Sequence, residues 1–436
     1  MQRIESAIEK AVNLRRHGIF ISETFDLART QAREAIQKGI TPFPVAVKDC
    51  FLTSNETNTT CASQMLENYC APVNATIVER IVTKGGCIIG KTNLDEFCMG
   101  TSSALGHFGP VKSAIKEEES PDDWIIPGGS SGGSAVAVQA GIVDMALGSD
   151  TGGSTRNPAA FNGIYGLKPT YGVLSRYGLI PLVNSLDSPS ILATSAEKCW
   201  KYLEFLKGID AADSTSVTLP EESSRISNLK GLKVGIPIEY HNECLSEDAW
   251  RHWNRIVGIL KREGAIIRVI SLPTTKYSLA CYSVIAAADV ASNMARYDSV
   301  AYGHRSEKND STYEMYATSR SESLNTVVRR RIFAGNYFLM KQLITNEMLA
   351  AFNEVDIIVT PTATGPPPKY SQLRDTLFSK EDDDDYFTQA ANLVGIPAIS
   401  IPVGRGEGLP IGVQLLANRL EDRALCDIAH VLSGII

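Results

Sequence analysis

Short apolar runs alternate along the chain with stretches whose apolar positions fall at helical spacing. Pro44-Val45-Ala46-Val47 reads as a strand, as do Cys87-Ile88-Ile89, Leu232-Lys233-Val234-Gly235-Ile236 and Asp356-Ile357-Ile358-Val359-Thr360. Residues 266–270 and 396–403 add two more. Residues 75–84, 249–262 and 419–434 carry the pattern of amphipathic helices, and 134–143 is small and apolar enough for a helix inside the core. Gly85-Gly86 ends the first of these helices, and Gly90 is expected to turn the chain after Ile89. Strands alternating with helices predict an α/β fold. The expectation is a single large domain on a mixed, mostly parallel β-sheet, covered by helices on both faces. An N-terminal helical segment, 1–40, is expected to precede the main domain, 41–436.

The start of the chain supports two readings. Ile4, Ile8, Val12 and Leu14 form an apolar stripe on a helix, and Arg3, Lys10, Arg15 and Arg16 make it basic, as in an organelle transit segment. Glu5 and Glu9 depart from the acid-poor rule for such segments, and an ordinary first helix fits equally well.

Composition narrows the partners. The 436 residues are 44% apolar and 21% charged, the profile of a globular chain with ample core. No run approaches the roughly 18 apolar residues of a membrane span. Net charge is −7, from 42 basic and 49 acidic residues. A chain that grips a phosphate backbone by itself is usually basic, so nucleic acid is not its expected direct ligand. The nine cysteines include no C-x-x-C pair and the six histidines do not cluster with them. Reduced thiols in an intracellular compartment, with no metal site, are expected. Lys116 to Asp123 and the carboxylate run Glu381 to Asp385 read as solvated loops.

The chemistry concentrates in residues 127–172. Pro127-Gly128-Gly129-Ser130-Ser131-Gly132-Gly133-Ser134 leads through an apolar helix to Gly148-Ser149-Asp150-Thr151-Gly152-Gly153-Ser154-Thr155-Arg156. Two glycine-serine loops thus flank one buried helix. Backbone N–H groups of such loops can converge on an anion. A phosphate cradle needs G-x-x-x-x-G-K-[ST] or G-x-G-x-x-G after a strand, and neither is present. The hydrolase elbow G-x-S-x-G is absent too, and no histidine lies in the block. A serine nucleophile here needs another base, and a lysine shielded from water can serve. Lys48 follows Val45-Ala46-Val47 and so sits at the end of a core strand.

The block closely resembles the signature of the amidase-signature family. The likeness extends from Pro42 nearly to the C-terminus. It includes Ala46-Val47-Lys48-Asp49, Gly90-Lys91-Thr92-Asn93-Leu94-Asp95-Glu96-Phe97, both glycine-serine loops, Gly166 to Gly172, Ser175-Arg176-Tyr177-Gly178-Leu179 and Ser185-Leu186-Asp187. Within the family it is most similar to the glutamine-hydrolysing subunits of tRNA-dependent amidotransferases, through Ser292-Asn293-Met294-Ala295-Arg296-Tyr297-Asp298, Arg330-Arg331-Ile332 and Asn392-Leu393-Val394-Gly395-Ile396-Pro397.

The resemblance implies a set of roles. Ser154 is the acyl nucleophile, Ser130 follows a cis peptide bond and bridges to Lys48, and Lys48 is the base. Backbone N–H groups of Thr151, Gly152, Gly153 and Ser154 form the oxyanion hole. Arg331 pairs with the substrate α-carboxylate, with the register against Arg330 open by one. Asp385 binds the α-ammonium, Tyr282 lines the pocket, and Thr151 also contacts the substrate amide. The resemblance implies no metal or cofactor in this chain. It implies a B-type partner that uses ATP and Mg²⁺ to amidate Glu-tRNA(Gln), with glutamine as the substrate here. Three departures from the family pattern stand out. The region before Ala46 is short, residues 187–191 read Asp187-Ser188-Pro189-Ser190-Ile191 in place of an Asp-x-x-Gly-Pro segment, and the stretch after Pro366-Pro367-Pro368 is trimmed. They point to a mitochondrial, fungal-type form with a small third subunit, F-type or C-type; a bacterial-like form would be cytoplasmic. The competing readings are a stand-alone amidase acting on a small carboxamide and a catalytically dead assembly protein.

Overall fold

In a computed structural model of the chain, the described residues are 1–54, 57–116, 122–220, 226–308, 310–334, 341–373 and 385–436. Of the two expected acidic loops, 117–121 and 381–384 lie outside them. Eleven strands form one sheet: β1 (Phe20–Glu23), β2 (Phe43–Lys48), β3 (Gly86–Thr92), β4 (Met145–Asp150), β5 (Tyr165–Lys168), β6 (Ser188–Ala193), β7 (Lys233–Pro237), β8 (Ile266–Ile270), β9 (Ile357–Pro361), β10 (Ala398–Gly406) and β11 (Leu409–Ala417). Their order across the sheet is β1-β3-β2-β4-β6-β5-β10-β11-β9-β7-β8.

The pleat explains why the strand sequences are so apolar. Val45, Val47, Ile88, Met145, Leu147 and Ile191 enter one hydrophobic cluster, whereas Ala46, Ile89, Ala146 and Leu192 enter another on alternate positions. A sheet buried on both faces needs near-continuous apolar strands, and β2, β3, β4 and β6 are buried throughout.

The expected α/β architecture is present, but the sheet is not mostly parallel. Six of its ten pairings are antiparallel. Alternation of strand and helix implies parallel neighbours only when consecutive strands lie side by side. Here β4 pairs with β6 and β5 with β10. The hairpin β10–β11, closed by Glu407 and Gly408 at positive φ, places another antiparallel pair where only one strand was expected. Gly90 does not turn the chain either. It lies inside β3, opposite Glu23 of β1, and a Cβ there would meet the Phe20 ring at 2.6 Å. Residues 1–40 hold the helices Gln2–Asn13 and Phe25–Gln37 and also strand β1, which joins them to the same sheet. On the first helix Ile4 and Ile8 are buried, while Val12 is exposed.

This topology builds the site. Strands β2 and β4 run parallel with Val47 opposite Leu147, so Lys48 and the Ser149–Ser154 turn emerge at the same end of the sheet. Ligand sites of α/β sheets gather at such carboxyl ends.

Candidate active site

Lys48 ends β2 with no solvent exposure. Its Nζ donates to Ser130 Oγ at 2.8 Å and to Ser149 Oγ at 2.9 Å. No carboxylate forms an ion pair with it among the described residues. Ser130 is fully buried and follows a cis peptide bond from Gly129. The next residue ties the two loops together, as Ser131 N–H donates to the Ser154 carbonyl at 3.1 Å. Ser154 is 7% exposed, the most open member of the trio. Its hydroxyl makes no hydrogen bond to protein among the described residues.

The turn between β4 and the helix Arg156–Asn162 is held from beneath by a buried ion pair. Asp150 and Arg156 meet at 2.9 Å, both fully buried. Asp150 Oδ2 also accepts from the N–H groups of Thr155 and Arg156, at 3.2 and 3.3 Å. Arg156 reaches on to the Thr388 carbonyl at 2.9 Å, to Gln414 at 3.0 Å and to Asn392, which donates back to the Asp150 carbonyl at 3.0 Å. Burial pushes the Asp150 carboxyl up, but the charge and hydrogen bonds of Arg156 outweigh it and hold the group at about 2. Thr151 is anchored separately. Its hydroxyl donates to Asp187 at 2.7 Å, and Asp187 accepts two further bonds from Leu182 and Val183 N–H. With the turn pinned at both ends, the N–H groups of Thr151, Gly152, Gly153 and Ser154 are left without a protein acceptor among the described residues. Buried backbone donors are rarely left so. Four neighbouring ones beside a serine hydroxyl suit an oxyanion.

The glycines of the turn show what faces it. A Cβ on Gly152 would meet the Tyr282 ring at 2.8 Å, and one on Gly153 (φ +148°) would meet Asp385 Oδ1 at 2.6 Å. Tyr282 comes from the long helix Ser278–Met294 and Arg331 from the helix Thr326–Ala334. Burial pushes the Tyr282 phenol up, Arg331 opposes this through charge and a side-chain hydrogen bond, and the charges of Asp385 and Asp187 add to the rise. Tyr282, Arg331 and Asp385 thus surround the loop that ends in Ser154. Of its neighbours, Arg330 is exposed, and Arg329 lies near Thr326 and Glu96.

Sequence reasoning missed three parts of this assembly. Ser149, the second partner of Lys48, lay unremarked inside the glycine-serine block. The Asp150–Arg156–Asn392–Gln414 network had a signal, since Gln414 interrupts the apolar run of β11 and Asp150 and Arg156 are charges among small buried residues. Asp187 had none beyond its place in a family motif. No two of the nine cysteines form a disulfide, and no cluster of metal-ligating side chains occurs among the described residues.

Comparison with known proteins gives the family. Residues 3–426 match the Amidase family. The chain is 44% identical to the A subunit of the mitochondrial glutamyl-tRNA(Gln) amidotransferase of Anopheles gambiae, covering 91% of this chain and 84% of that one. It is 42% identical to the Bos taurus protein of the same name, covering 98% and 89%. Among solved structures, the A subunit of glutamyl-tRNA(Gln) amidotransferase from Thermotoga maritima superposes with a TM-score of 0.73 at 31% identity, covering 98% of this chain and 93% of that one. A bacterial aryl acylamidase, at TM-score 0.84 and 19% identity, shares the fold. With a buried lysine on a serine, paired glycine-serine loops and a match over nearly the whole length, the chain belongs to the amidase-signature family.

Proposed function

We propose that this chain is the glutaminase subunit of a tRNA-dependent amidotransferase, hydrolysing glutamine through a Lys48–Ser130–Ser154 relay and passing ammonia to a partner. The observation that carries it is Lys48: fully buried, bonded to Ser130 at 2.8 Å and to Ser149 at 2.9 Å, and in no ion pair among the described residues. An amine held against a serine hydroxyl, away from water, can take that hydroxyl's proton as a general base.

Ser154 Oγ attacks the side-chain carbonyl carbon of glutamine. Its proton passes to Ser130 Oγ as Ser130 gives its own to Lys48 Nζ. Charge that builds on the carbonyl oxygen is met by the N–H groups of Thr151, Gly152, Gly153 and Ser154. When the intermediate collapses, Lys48 returns the proton through Ser130 to the leaving nitrogen, and ammonia departs. Water then cleaves the γ-glutamyl ester of Ser154 by the same relay. Arg331 pairs with the α-carboxylate, where a planar guanidinium allows two parallel bonds. Asp385 receives the α-ammonium, and Tyr282 packs along the substrate.

The glutamine reading rests on these three residues gathering at one loop, and the amidotransferase reading on relatives that carry the name over nearly their whole length. The place of action is the mitochondrion. The partners are a B-type subunit, which uses ATP and Mg²⁺ to amidate Glu-tRNA(Gln), and a small third subunit of the F or C type. A net charge of −7 fits a chain that leaves tRNA to its partner. Ser154→Ala in the assembled complex tests the assignment. Glutamine-dependent amidation disappears, while amidation from added ammonium persists. Full glutamine-dependent activity in that variant would remove Ser154 from the mechanism.

A further inference from the structure

We propose that Glu96 is a positioning residue for substrate recognition: it fixes the start of the helix Thr326–Ala334 and thereby the place of Arg331. The inference rests on the reading of Arg331 as the clamp on the α-carboxylate.

Glu96 lies just beyond β3, in the turn Glu96–Cys98, and is 3% exposed. Its two oxygens are divided between two segments. Oε1 accepts from the Ser63 hydroxyl. Oε2 accepts from the backbone N–H of Asn325 at 2.9 Å, across 229 residues of sequence. Asn325 opens the helix that carries Arg331: its Oδ1 accepts from Val328 N–H at 3.0 Å, and its amide donates to the Leu105 carbonyl at 3.1 Å. Arg329, one turn into the helix, also faces the carboxylate. Burial pushes the Glu96 carboxyl up to about 7, while Ser63, the Asn325 N–H and the charge of Arg329 pull the other way.

Three features of the helix start therefore converge on one acid: the Asn325 N–H, which has no partner within the helix, the positive end of the helix dipole and a cation. Charge-assisted bonds of this kind, shielded from water, are the strong ones. Arg331 stands six residues beyond Asn325, about 9 Å along the helix axis. A helix released at its start displaces that guanidinium. The relay is untouched, because Lys48 and the serines sit on β2 and the glycine-serine loops. Loss of Glu96 is thus expected in KM for glutamine, with little change in kcat.

The test is glutamine hydrolysis by the full chain in its assembled complex. Glu96→Ala should raise KM about tenfold, the scale of one hydrogen bond to a charged group, and leave kcat within about twofold. Glu96→Gln, whose amide oxygen can still accept from Asn325 N–H, should recover most of the loss. In an Arg331→Ala background, Glu96→Ala should add nothing further, because the two act on one interaction. If Glu96→Ala assembles poorly, Glu96→Asp keeps the charge, shortens the reach and carries the same expectation. Additive effects, or an unchanged KM in folded Glu96→Ala or Glu96→Asp, overturn the positioning role alone. An unchanged KM in Arg331→Ala overturns the clamp itself, and this inference with it.

Discussion

Lys48 and Lys91 occupy adjacent rungs of the same pair of strands, Lys48 opposite Thr92 and Lys91 opposite Val47. Both are fully buried. Their surroundings differ in one respect. Lys91 lies 2.8 Å from Asp49 Oδ1, with the Thr59 hydroxyl at 3.0 Å. Lys48 touches the hydroxyls of Ser130 and Ser149. Depth alone therefore does not separate a structural cation from a catalytic amine. The partner does: Lys91 ends on a carboxylate, whereas Lys48, the proposed base, ends on hydroxyls that can pass a proton along a relay. The carboxylates repeat the contrast. Asp150 is paired with Arg156 and held at about 2. Asp187 has a hydroxyl and two amide N–H groups as partners. Burial pushes it up to about 7, against those bonds.

The sharpest way to break the comparison is to remove each lysine in turn. Lys48→Met should fold and lose about 10²- to 10⁴-fold in glutamine turnover, the usual worth of a general base. Lys91→Met strands Asp49 in the core and should cost about 3–5 kcal/mol of stability, with near-normal turnover from the molecules that remain folded. Urea unfolding and kcat on the same preparations read both effects. A folded, inactive Lys91→Met beside an active Lys48→Met would invert the assignment.

Asp385, proposed to receive the substrate α-ammonium, extends the comparison to a carboxylate beside the Gly153 turn. Asp385→Asn should raise KM for glutamine about tenfold or more, as for the loss of a charged hydrogen bond, and change kcat little. A fall in kcat at constant KM would place Asp385 in support of the Gly153 turn and not in recognition.

How much of this was legible in the sequence follows the same division. Lys48, Ser130 and Ser154 sit in local patterns: a lysine closing an apolar strand, and serines set in glycine turns around a short apolar helix. Such patterns are short-range physics and can be read without coordinates. The strands β2, β7, β8 and β9 were legible for a similar reason, as each is a compact apolar run. Recognition is assembled by topology. Arg331 and Asp385 lie far along the chain from Ser154, and only the packing of Ser278–Met294 and Thr326–Ala334 sets Arg331 beside Tyr282. Strand direction was illegible too, because it depends on which strands become neighbours and not on their composition. Ser149 and Asp187 went unread because a serine in a glycine turn and an acid in a loop look ordinary until their partners are known.

The pH dependence of stability offers the finest test, since Asp150 and Asp187 should pull in opposite directions. The folded protein holds Asp150 well below the usual 3.8, so its contribution is present above about pH 4 and is lost as pH falls toward 2. Asp187 is raised above 3.8, so the folded state keeps a proton that the unfolded chain has released. Its contribution is present below about pH 4 and is lost as pH rises through about 7. Urea unfolding between pH 4.5 and 8 should therefore show the stability of wild type relative to Asp187→Asn declining up to about pH 7, by at most about 1.4 kcal/mol per pH unit, and then levelling. Relative to Asp150→Asn the same curve should stay flat over that range. A flat curve for Asp187→Asn would mean that Thr151 and the two amides offset the burial of that carboxyl without a counter-charge. Counter-charge would then lose its standing as the feature that separates buried groups free to titrate from those that are fixed.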